Sequence, residues 1–198
     1  MVYLLETTDQ LLWDRVPYIS RELVDKQVQG IPLQQSDIPA ESVLDGQFEL
    51  PDIANPTDGF RFVSDRGRAA LEELAPGCVA FFPLNLKVAE SMRPARDYFF
   101  IDVLPRAQCI DWDLTPTIPR VVRAPDGRES RSIKGGITNP SIKFKAVTPE
   151  TPKIWREADL DRPTVQFFFS KKEMFLRDEL WEALNARFPG RLLATKLA

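Results

Sequence analysis

Apolar residues along this chain fall into short runs separated by turn chemistry, and two stretches carry a clear helical period. In the first, Ala70, Leu71 and Leu74 form one side of a helix opened by Ser64 or Asp65 and stopped by Pro76-Gly77. A serine or aspartate there accepts hydrogen bonds from the free amides of the first turn. Proline cannot continue the hydrogen-bond ladder, and glycine takes a left-handed cap cheaply. Strands are predicted at Phe60–Val63 before this helix and Val79–Leu84 after it. In the second stretch, Leu180, Trp181, Leu184 and Phe188 predict a helix over Asp178–Arg187, with Trp181 a core residue. Strands at Val165–Ser170 and Glu173–Leu176 precede it and Leu192–Leu197 follows. Val2–Leu5 reads as a first strand and Ile19–Val28 as a short helix.

The strand candidates Val79–Leu84, Tyr98–Val103 and Val165–Phe169 run apolar on consecutive positions, which suits strands covered on both faces. Between Pro105 and Pro163 lie eight of the 17 prolines and the one Gly-Gly, so short strands and turns are expected there. Asp126-Gly127 reads as a hairpin turn, because glycine supplies the positive backbone dihedral that tight hairpins need.

The two helical stretches resemble one another. Phe62–Leu84 superposes without a gap on Phe175–Leu197, with seven identities in 23 positions where average composition gives roughly one or two. Two related strand-helix-strand units explain this, as do two ordinary helices that use the same stop chemistry. The spacing is too long for a solenoid, whose units recur every 20 to 50 residues or so.

With 198 residues and 43% apolar content the chain can bury about 70% of its unfolded surface, enough for one domain over 1–198, with lobes at 1–114 and 115–198 as its natural subdivision. Its net charge is −3, which favours no polyanionic partner overall, but the charge is unevenly placed. Between Lys26 and Arg61 there is no basic residue, while Asp37, Glu41, Asp45, Glu49, Asp52 and Asp58 are all acidic. From Arg120 to Lys145, seven Lys and Arg face only Asp126 and Glu129, a balance of +5. Cys78 and Cys109 are too few for a disulfide framework and predict a reduced, cytoplasmic chain. No secretory signal or membrane span is predicted.

Candidate chemistry is sparse. The chain has no histidine, which removes Ser-His-Asp and Cys-His mechanisms and imidazole metal sites. It also has no phosphate-cradling GxxxxGK or GxGxxG loop. The pairs Asp111/Asp113 and Asp159/Asp161 could each present two carboxylates to a divalent cation, but among 29 acidic residues such pairs are background. The expectation is therefore no catalytic residue, no metal and no cofactor. The basic segment 120–145 could contact phosphates as a nucleic-acid adaptor. It carries only Phe144 as a stacking residue, so a solvated hairpin is favoured.

The segments Leu71–Leu86 (LEELAPGCVAFFPLNL), Tyr98–Asp113 (YFFIDVLPRAQCIDWD) and Phe167–Gly190 resemble the bacterial immunity proteins of polymorphic toxin systems, group eleven. The resemblance covers roughly the last two thirds of the chain. It implies a small cytoplasmic, non-enzymatic protein that binds one cognate toxin, usually encoded beside it, and blocks it. The acidic residues at 37, 41, 45, 49, 52 and 58 are then the interface candidates, since acidic surfaces speed encounter with cationic clefts. The fold expected is α+β: a mixed, mostly antiparallel sheet of short strands, a few helices, and two related strand-helix-strand units.

Overall fold

The computed structural model of the protein describes all residues except 6–12, 16–19, 47–49, 58–59, 89–96, 122–126, 137, 140, 159–164, 169–172 and 198. In chain order its elements are β1 (Val2–Leu5), β2 (Trp13–Arg15), α1 (Arg21–Gln29), a 3-10 turn (Gln35–Asp37), β3 (Ser42–Gly46), β4 (Ile53–Thr57), β5 (Phe60–Ser64), α2 (Asp65–Leu74), β6 (Val79–Leu84), β7 (Leu86–Val88) and β8 (Tyr98–Val103). There follow β9 (Arg106–Ala107), β10 (Thr117–Pro119), β11 (Glu129–Ile133), β12 (Ile154–Glu157), β13 (Val165–Phe168), β14 (Met174–Arg177), α3 (Asp178–Arg187) and β15 (Ala194–Lys196).

The class is α+β and pairing is mostly antiparallel, as the sequence predicts, but the strands divide among several sheets. Among the described residues there are four, ordered β15-β1-β14-β12-β9, β4-β5-β8-β6, β10-β11-β13 and β2-β3-β7. The described residues of the stretch 105–163 form strands and turns, as its prolines require.

The predicted repeat is a repeat of structure. Helix α2 runs from 65 to 74 and α3 from 178 to 187, so both ends are displaced by the same 113 residues. Strands β5 and β6 both pair antiparallel with β8, which lies between them; β14 and β15 pair in the same way with β1 between them. Register matches as well: Phe82 stands opposite Phe100 as Thr195 stands opposite Leu4, and Val63 opposite Phe99 as Leu176 opposite Tyr3. Even the flanking strands agree, with Ile53 opposite Val63 and Ile154 opposite Leu176. Each unit is thus a strand-helix-strand crossover with a third strand inserted, and that inserted strand comes from outside the repeated segment.

Local chemistry explains the helix ends. Ser64 Oγ accepts the Gly67 amide at 3.2 Å to open α2, and Gly77 and Gly190 follow the two helices at φ 71° and 69°. A side chain at that φ would be strained, whereas glycine is not.

Both units fill one apolar cluster with equivalent positions: Ile53 and Ile154, Val63 and Leu176, Leu71 and Leu184, Val79 and Leu192, Ile101 and Leu5. Trp181 packs against this cluster and stacks on Tyr3 with ring centroids 5.5 Å apart, in keeping with its predicted core role. The opposite face of the β5–β8 sheet meets a second cluster, in which Phe60, Phe62 and Phe100 pack with Leu23, Ile38 and Leu44. The opposite face of the β1–β14 sheet meets a third, with Trp155, Phe175, Ile110, Ile133 and Ile142. Strand β8 is therefore covered on both faces, as its consecutive apolar residues require. Strand β6, predicted alike, lies at the edge of its sheet with Phe81 and Phe82 only half-buried, and the side chains of Val165–Phe169 lie outside the described ones.

Candidate functional site

The acidic segment builds the walls of a groove. Asp37 closes the 3-10 turn by accepting the Gln34 amide at 2.9 Å, and its other oxygen meets Lys26 of α1. The Lys26 ammonium and that amide hold the Asp37 carboxyl below its ordinary pKa. Gln35 Nε2 donates to Pro83 O at 3.0 Å, and Ser42 N–H donates to Asn85 O at 2.9 Å. These bonds fix the 35–42 segment against the ends of β6 and β8, leaving an open groove of about 640 Å³ lined by Ser36, Pro39, Ala40, Asn85, Asp97 and Phe99 among others. Among the described residues no Lys or Arg lines it. Glu41 stands beside it, 45% exposed, in a surface ion pair with Lys87.

The six acidic candidates do not form one patch of free carboxylates. Asp52 is buried; it accepts the Ser64 hydroxyl at 2.5 Å and lies 3.7 Å from Arg66, so it braces the β4–α2 junction. Asp37 is largely covered, and Asp45 sits in β3 opposite Arg15. Glu49 and Asp58 lie outside the described residues. Glu41 is the exposed carboxylate of the run among the described residues whose side chain is placed, and Asp97, which charge patterning did not single out, adds a second exposed acid at the groove.

Asp111 is taken up by a turn: its Oδ1 accepts the amides of Asp113 and Leu114 at 3.1 and 3.2 Å. Asp159 and Asp161 lie outside the described residues, as does Asp126 of the expected hairpin turn. Strands β10 and β11 pair antiparallel and Gly127 has φ 83°, but they are joined by the longer connection 120–128, of which 122–126 lie outside the described residues. Among the described residues no three His, Cys, Asp or Glu side chains gather as metal ligands do.

Sequence reasoning missed a set of buried charges. Arg61, Asp102, Arg156 and Glu157 are each at most 3% exposed although they lie within strands. Arg156 Nη1 is 2.7 Å from Asp102 Oδ1, and Arg61 Nη2 is 3.9 Å from Glu173. Burial raises the Asp102 carboxyl and lowers Arg156, with their mutual attraction opposing both shifts. Glu157 accepts the amides of Cys109 and Ile110 at 3.0 and 2.9 Å and is nonetheless pushed up to about 7, because desolvation outweighs those bonds. Burial also pushes the Cys109 thiol up to about 12, so it stays protonated and unreactive at neutral pH. These groups are packed into the protein and lie away from the groove lining, which makes them structural elements. An arginine between Phe60 and Phe62 was the available signal for the first of them.

The chain belongs to the immunity protein family (Imm11), whose model matches residues 13–175. The match reaches into the first sixty residues, beyond the predicted coverage, and stops within β14, so α3 carries none of it. No curated protein matches the chain. Membership suggests an immunity role, non-enzymatic in character, with a toxin as the partner in general. Among the described residues no helix is long and apolar enough to cross a membrane.

Proposed function

We propose that the chain neutralises a cognate bacterial toxin domain by direct protein contact in the cytoplasm, acting as one folded domain. The observation that carries this reading is membership of an immunity family. The groove between the 3-10 turn and the ends of β6 and β8 is the first contact we assign, with Glu41 and Asp97 at its rim. Two exposed acids at that rim suit a protruding Lys or Arg of the toxin. The Glu41–Lys87 pair is solvent-exposed and contributes little to stability, so Glu41 can exchange Lys87 for a toxin cation at small cost.

Co-expression with the toxin encoded beside the gene tests this. The wild-type chain should restore growth, and Glu41→Lys combined with Asp97→Lys should lose protection while remaining folded by circular dichroism. Failure of the wild-type chain to protect against that toxin would sink the reading.

A further inference from the structure

We draw no further inference here: the strongest candidate, the buried charge cluster of Arg61, Asp102 and Arg156 on β5, β8 and β12, carries nothing, because its charges are paired within the protein, Arg156 with Asp102 and Arg61 with Glu173, and nothing in the structure points to a ligand for them.

Discussion

Gly67 sits on the inner side of α2, and its replacement by alanine sets two physical effects against each other. Helix propensity alone favours alanine by about 0.5–1 kcal/mol in a helix interior. Packing opposes it, because a Cβ at Gly67 would lie 2.3 Å from the Asp52 carbonyl oxygen and 3.1 Å from Val63 Cβ. The oxygen is backbone, so relief requires shifting α2 or the chain entering β4. That oxygen also accepts the Ser64 amide at 2.9 Å, and the Asp52 carboxylate accepts the Ser64 hydroxyl, so a shift disturbs the helix cap. Overpacking of this kind typically costs about 1–3 kcal/mol, and loss of a cap bond about 1 kcal/mol more. The net expectation is a loss of about 2 kcal/mol, or a fall in Tm of roughly 4–8 °C for a chain of this size. Differential scanning calorimetry of Gly67→Ala measures it. A Tm equal to or above that of the wild-type chain would mean that propensity wins and that α2 is not held at this contact.

Three further outcomes follow from the buried polar groups. Glu157 titrates near 7 in the fold against an ordinary 4.5, so it stays protonated in the native state while the unfolded chain ionises between those values. Stability should therefore fall as pH rises from about 4.5 to 7, by up to about 3 kcal/mol, and Glu157→Gln should flatten that difference in urea titrations. Asp102→Asn leaves Arg156 buried without its counter-charge and should cost about 3 kcal/mol or more, whereas the double replacement Asp102→Leu with Arg156→Met should cost clearly less in the same assay. Gln27 is 1% exposed on the face of α1 that carries Leu23, and neither polar atom of its side chain has a hydrogen-bond partner among the described residues; Gln27→Met should raise stability by about 1 kcal/mol in chemical denaturation.

The repeated units were the most legible part of the fold, because their information is local. Ser64, the Ala70-Leu71 pair and Pro76-Gly77 specify where a helix starts, which side it buries and where it stops, and α2 and α3 lie where that chemistry places them. What remained hidden is non-local. Nothing around Val2–Leu5 indicates that β1 inserts between β14 and β15, because that choice depends on cross-strand packing with residues more than 160 positions away. The division into several sheets is of the same kind. The acidic run was visible as charge, but not that Asp37 would cap a turn or that Asp52 would be buried under α2, since each depends on a partner such as Lys26 or Ser64 brought up by the fold. Arg61 lies between Phe60 and Phe62 in β5, and Arg156 follows Ile154 and Trp155 in β12. They read as surface residues until both faces of those strands prove to be covered.

Neutralisation of a toxin by contact is tested most directly by titration calorimetry of the purified chain into a bacterial toxin domain, the product of a neighbouring gene being the first candidate. A saturable complex of nanomolar affinity or tighter is expected, with toxin activity falling in proportion to occupancy. A titration without heat or complex formation, while the same toxin remains fully active in the presence of excess chain, would contradict it.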